Sequence, residues 1–263
     1  MNQGEIFGFL GPNGAGKTTT IRILLDLLRA DSGRASVFGL DCVNDSVAIR
    51  KRVGYLPGEL GLYDHMVAQK VVDYFVHLKG GMDSKVVAEL IDRLDIDLTR
   101  RVKQYSKGNR QKLGILLAFL NRPELVILDE PTSGLDPLLQ KEFYDFTADQ
   151  VKQGRTIFMS SHVLSEVDRV CTRAGIIREG KMETVVGIGA LKEQMGEIFR
   201  VTIDGPYDPG DFELEGVTKV ESDGENLLLH VTANHDGVLK RLAEYRVTKL
   251  TAEAYSLDDF FHE

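Results

Sequence analysis

The residues best suited to chemistry stand near the start of the chain. Gly11-Pro12-Asn13-Gly14-Ala15-Gly16-Lys17-Thr18 follows an apolar run, Ile6 to Leu10, and precedes helical spacing at Ile21, Leu24, Leu25 and Leu28. Glycines at these places let consecutive backbone N–H groups turn inward around a polyphosphate. Lys17 is placed to reach the β- and γ-phosphates and the Thr18 hydroxyl to ligate Mg²⁺, at the positive end of the following helix. A glycine turn ahead of an ordinary helix would leave the Lys-Thr pair unexplained.

A second set of groups lies far along the chain. Leu125-Val126-Ile127-Leu128 is an unbroken apolar strand that ends in Asp129-Glu130. In an open α/β sheet ligands gather at the carboxyl ends of strands, where Asp129 can hold Mg²⁺ through water. Glu130 is placed to orient or deprotonate an attacking water. His162 follows another apolar strand, Thr156–Met159, through Ser160-Ser161. Taken singly, an acidic turn and a satisfied histidine at a strand end would explain these residues. Beside the phosphate loop, a γ-phosphate sensor is the better reading of His162.

The elements that must position these groups are legible as patterns. Strands are expected at Ile6–Leu10, Ala35–Phe38, Arg52–Leu56, Leu125–Leu128, Thr156–Met159 and Ala174–Ile177, and helices at Thr18–Arg29, Leu138–Gln153 and Glu166–Val170. Helical spacing fills Val67–Leu78, Lys85–Leu94 and Gly108–Leu120. Strands without alternation, joined by helices, predict a mainly parallel sheet covered on both faces. The helical block, about residues 58–122, is too long for a simple crossover and reads as an inserted subdomain.

After Gly196 the pattern changes to alternating strands at Phe199–Ile203, Val217–Glu221 and Leu227–Val231, then a helix at Val238–Tyr245, a strand at Val247–Leu250 and a short helix capped by Ser256. The charge changes too: of the chain's formal −8, residues from Gly196 on carry 15 acidic and 6 basic side chains. We therefore expect two domains, 1–195 and 196–263, the second a small acidic α+β module. Its His230, His235 and His262 are too scattered for a metal site.

The 263 residues, 43% hydrophobic and 27% charged, have the composition of a soluble globular protein. The acidic balance argues against a nucleic-acid binder that relies on counterion release. Cys42 and Cys171 suit neither a disulfide framework nor a metal cluster. No run approaches the ~18 apolar residues of a membrane span, so a cytoplasmic location is expected.

In this order, GPNGAGKTT (Gly11–Thr19), LVILDE (Leu125–Glu130), SGLD (Ser133–Asp136) and SSH (Ser160–His162) resemble the ATP-binding-cassette (ABC) transporter ATPase subunits, from Gly4 to about Lys192. The resemblance implies the P-loop NTPase fold of an ABC ATPase, a RecA-like parallel sheet core with an inserted helical subdomain. Two subunits would close head to tail around two ATPs, each ATP lying between one phosphate loop and the other subunit's signature motif. YSKGNRQ (Tyr105–Gln111) occupies the signature position, usually LSGGQ. Ser106 and Gly108 are retained, and Tyr105, Lys107 and Asn109 replace Leu, Gly and Gln. Ser106 brings a hydroxyl, Gly108 permits close approach and Asn109 keeps an amide. Asp136 would sit in the loop that crosses the dimer interface.

The resemblance further implies ATP and Mg²⁺ as cofactors, and a homodimer or paired cassette. It implies a separate transmembrane permease as partner, with the chain peripheral on the inner face of the cell membrane. "YLPGELGLY" and the "SLDDFF" ending (Ser256–Phe261) point to the subset that exports antibiotics and other drugs. Two departures stand out. Gly58 takes the place of the glutamine that senses Mg²⁺ and links to the permease. The antiparallel strands and adenine-stacking aromatic that usually precede the phosphate loop are absent, so weak ATP affinity and poor discrimination of ATP from GTP are expected. A hydrolysis-poor regulatory subunit and a soluble ABC ATPase not tied to transport remain as alternatives.

Overall fold

The computed structural model describes residues 1–190, 196–223 and 226–254. The chain divides into two compact units, Met1–Val185 and Val186–Glu263, a division that lies upstream of the charge break at Gly196.

The first unit is built on a six-stranded sheet. In chain order its strands are β1 (Ile6–Leu10), β4 (Val53–Leu56), β5 (Leu125–Asp129), β6 (Thr156–Ser161), β7 (Arg173–Arg178) and β8 (Lys181–Gly187), and β2 (Ser36–Val37) and β3 (Leu40–Asp41) form a separate two-stranded sheet. The spatial order is β4-β5-β6-β1-β7-β8, and the pairs from β4 to β7 are parallel. Every residue of β1, β5 and β6 is buried, which explains the apolar runs at 6–10, 125–128 and 157–159.

Helix α1 (Lys17–Leu24) follows the phosphate loop, and α2 (Ser46–Arg52) leads into β4. Between β4 and β5 lie α3 (Ala68–Lys79), α4 (Ser84–Arg93) and α5 (Lys107–Phe119). Then α6 (Pro137–Lys152) and α7 (Leu164–Val170) link β5, β6 and β7. On one side of the sheet, Phe7, Phe9, Ile127 and Phe158 pack with Ile21, Leu25 and Ile49. Phe119 of α5 meets Phe146 of α6 edge to face, with ring centroids 5.0 Å apart.

Helix α5 approaches β4 so closely that a Cβ on Gly54 would stand 1.9 Å from the Ala118 carbonyl oxygen. That obstacle is backbone and cannot rotate away. Gly54→Ala is expected to destabilise the chain by about 3 kcal/mol, seen as a lower midpoint of urea unfolding at unchanged slope.

Several expectations need correction. Helix α1 ends at Leu24 rather than Arg29, because Asp26 turns into the left-handed region at φ 56° and Leu27 and Leu28 face solvent. The strand expected from Arg52 begins at Val53, and α2, with Ile49 as its one buried residue, precedes it. Strand β8 was not anticipated, since six of its seven residues are exposed and its few apolar residues, such as Met182 and Val185, are not buried.

The second unit is an antiparallel sheet in the order β10-β11-β9-β12, from β9 (Glu197–Ile203), β10 (Val217–Asp223), β11 (Asn226–Val231) and β12 (Val247–Ala254). Helix α8 (His235–Leu242) starts and ends three residues earlier than expected, because Asn234 at φ 56° caps it by accepting from the Gly237 N–H. Val238 and Leu242 cover Phe199, Val201, Leu227, Leu229 and Val231. The helix expected at Ser256 and the side chain of His262 lie outside the described residues. No helix among the described residues is long and apolar enough to cross a membrane.

Candidate functional site

Three neighbouring strands deliver the site. In the order β5-β6-β1, Asp129 stands opposite Ser160 and Leu10 opposite Ser161, so three carboxyl ends finish level with one another. The loop Gly11–Gly16 leaves β1, Glu130 leaves β5 and His162 leaves β6, as expected for a ligand site on a parallel sheet.

The loop needs its glycines. A Cβ on Gly11 would stand 2.3 Å from the Ile177 carbonyl oxygen, and Gly14 and Gly16 hold φ values of 81° and 103°. Gly16 is the N-cap of α1, so the first free N–H groups of that helix open into the loop. Asn13, Gly14 and Thr19 are exposed on its rim, Ala15 is buried, and Pro12 and Gly16 lie between.

Lys17 is buried, and its ammonium donates to the carbonyls of Gly11 at 2.7 Å and Pro12 at 3.2 Å. It also pairs with Glu130 Oε1 at 3.3 Å. The other Glu130 oxygen, Oε2, faces His162 Nδ1 at 2.8 Å. Thr18 Oγ1 donates to Asp129 Oδ2 at 2.7 Å, and Ser160 Oγ donates to Asp129 Oδ1 at 2.6 Å. The structure thus brings Lys17, Thr18, Asp129, Glu130 and His162 into one connected cluster.

Glu130 has φ 50°, a backbone state that costs a non-glycine residue on the order of 1–3 kcal/mol. Two side chains hold it there. Ser160 Oγ accepts from the Glu130 N–H at 3.0 Å, and the buried Gln111 amide donates to the carbonyls of Glu130 at 3.2 Å and Pro131 at 2.8 Å. Such over-determined strain is characteristic of functional sites.

The signature stretch sits apart from this cluster. Ser106 is the N-cap of α5, and its hydroxyl accepts from the Asn109 N–H at 3.2 Å. Gly108 meets the next loop so tightly that a Cβ would lie 2.6 Å from the Gly134 carbonyl oxygen. The methylenes of Lys107 lie over Gly134, about where its own Cβ would be 3.3 Å away. Asp136 caps α6 by accepting from the N–H groups of Leu138 and Leu139. Among the described residues no hydrogen bond or ion pair joins Ser106, Gly108, Asn109 or Asp136 to Lys17, Thr18 or Asp129. Gln111 alone in this stretch reaches the cluster, through the Glu130 carbonyl.

Sequence reasoning missed Gln111, Ser160 and Glu166. Gly58 lies beside the cluster, where a Cβ would stand 3.2 Å from Asp129 Oδ2. A side chain there would begin at the carboxylate itself.

Comparisons with known proteins place the chain in a family. The family described as ABC transporter matches residues 1–133. A bacitracin transport ATP-binding protein of Bacillus licheniformis is 34% identical over 282 residues, spanning 99% of this chain and 88% of that protein. A daunorubicin resistance ATP-binding protein of Streptomyces coeruleorubidus is 36% identical over 199 residues, 74% of this chain and 63% of that protein. A solved ATP-binding subunit of an ABC transporter superposes with a TM-score of 0.66 at 27% identity, over 73% of this chain and 82% of that one. The chain belongs to the ABC transporter family as one of its ATP-binding subunits.

Proposed function

We propose that this chain hydrolyses ATP to drive export of an antibiotic-like or drug-like compound through a separate multi-span permease. It would act on the inner face of the cell membrane as one of two cassettes. The observation that carries the hydrolytic part is the position of Glu130, with Oε1 on Lys17 and Oε2 on His162. The names of the bacitracin and daunorubicin relatives support the exporter reading.

In the reaction a water oxygen attacks the γ-phosphorus, the bond from that phosphorus to the β–γ bridging oxygen breaks, and ADP and inorganic phosphate leave. Lys17 exchanges its contact with Glu130 for phosphate oxygens and stabilises the charge that spreads over the transferring group. The released Glu130 carboxylate orients the water and takes its proton, while His162 holds the second carboxylate oxygen and senses the γ-phosphate. Thr18 and Asp129 offer the hard oxygen donors that Mg²⁺ prefers, already 2.7 Å apart, and would hold it. Bound there, Mg²⁺ neutralises phosphate charge. Ser106, Gly108 and Asn109, at the N-terminus of α5, would face the partner's ATP, with Asp136 at the interface.

Co-expression with the permease encoded nearest to it tests this reading. The chain is expected to sediment with membranes only when that permease is present, and resistance to the exported compound to vanish with Lys17→Ala. ATP turnover by a chain that never joins a membrane would favour the soluble ATPase instead.

A further inference from the structure

Glu166, in α7, lies outside the cluster just described, yet its carboxylate reaches both loops that carry the reaction. Oε1 accepts from Thr132 Oγ1 at 2.7 Å, and Oε2 accepts from Ser161 Oγ at 2.6 Å. Thr132 follows Glu130 by two residues, and Ser161 immediately precedes His162. Both hydroxyls are buried, so neither has water as an alternative partner. Hydroxyl-to-carboxylate bonds of this length are charge-assisted and strong. Ser161 Oγ also accepts from the Val163 N–H at 2.9 Å, which ties the chain on both sides of His162 to the same hydroxyl.

The floor beneath this carboxylate is Tyr144 of α6. It is buried, and burial first, then the Glu166 charge, pushes its phenol well above the ordinary tyrosine range. The Arg169 guanidinium stands 5.3 Å over its ring. Ser160 and Gln111 hold the Glu130 backbone itself, but neither reaches forward to His162. Glu166 supplies that link.

We propose that Glu166 is a positioning residue for hydrolysis: it ties the loop carrying Glu130 to the strand end carrying His162, so that the two groups keep one geometry around the attacking water. The inference rests on the roles of Glu130 and His162 given above.

Steady-state hydrolysis by the full chain tests it. E166A is expected to lower kcat roughly 10- to 100-fold, as a misplacement of about 1 Å would, with KM for ATP unchanged. E166Q keeps one acceptor oxygen and should recover part of the loss. T132V and S161A each cut one arm, so each should lower kcat, and the double variant should be no worse than the deeper single. Unchanged kcat in E166A, or fully additive losses for T132V and S161A, would overturn the proposal. So would kcat losses that track the thermal midpoint. Where E166A does not fold, E166Q and the hydroxyl variants carry the same test. The underlying reading fails differently: the unsubstituted chain would show no turnover, or Glu130→Gln would retain it.

Discussion

Replacing Glu130 by Gln is expected to slow phosphate release roughly 10²- to 10⁴-fold while leaving ATP bound, the range for loss of a general base. That corresponds to about 3 to 5 kcal/mol of barrier. The substitution is nearly isosteric, so Ser160 and Gln111 still hold the backbone at position 130 through its N–H and carbonyl. The side-chain amide can still meet His162, but it cannot take a proton from water. The loss should therefore fall on kcat and not on KM, the mark of an interaction made in the transition state.

The second large effect is expected from Lys17→Ala, and it falls on binding. The ammonium is buried and already points at the loop carbonyls of Gly11 and Pro12, so it meets a phosphate without a search for geometry. Hydrogen bonds to a charged group contribute about 1.5–3 kcal/mol each, and losing one weakens ATP binding by roughly 10- to 100-fold. The readout is the thermal midpoint with and without ATP. A ligand at a hundred times its dissociation constant stabilises a protein by about 2.7 kcal/mol. The parent chain should gain that shift and Lys17→Ala should lose about half of it or more. An equal ATP shift in both would remove Lys17 from the phosphate site.

The phosphate loop was legible because its chemistry works only at one spacing, and Asp129 with Glu130 because a buried parallel strand leaves an unbroken apolar run. The parallel sheet and the helical stretch before Leu125 followed from the same patterns. What escaped the sequence acts across long separations. Gln111, Ser160 and Glu166 matter through hydrogen bonds to segments 20, 31 and 34 residues away, and nothing local marks them. The φ of 50° at Glu130 is equally invisible, since its cost is offset by those distant partners. Helix α2 was missed because it buries only Ile49 and ends in Arg50, Lys51 and Arg52.

The stretch YSKGNRQ shows both sides. The altered letters keep a helix capped by Ser106, with Gly108 in close approach to the Gly134 carbonyl, while Tyr105 is buried with its hydroxyl donating to the Asp97 carbonyl. Its last residue, Gln111, reaches the Glu130 backbone of its own chain. One segment therefore combines an exposed, capped end with a buried end that braces the Glu130 backbone.

In the proposed reaction Glu130 performs the chemistry at a phosphate loop that binds ATP without it. Phosphate release and bound ATP per chain, measured together for the parent chain and for Glu130→Gln, test it most directly. Equal ATP occupancy is expected in both, with release only from the parent chain. Release at the parent rate from Glu130→Gln would contradict it.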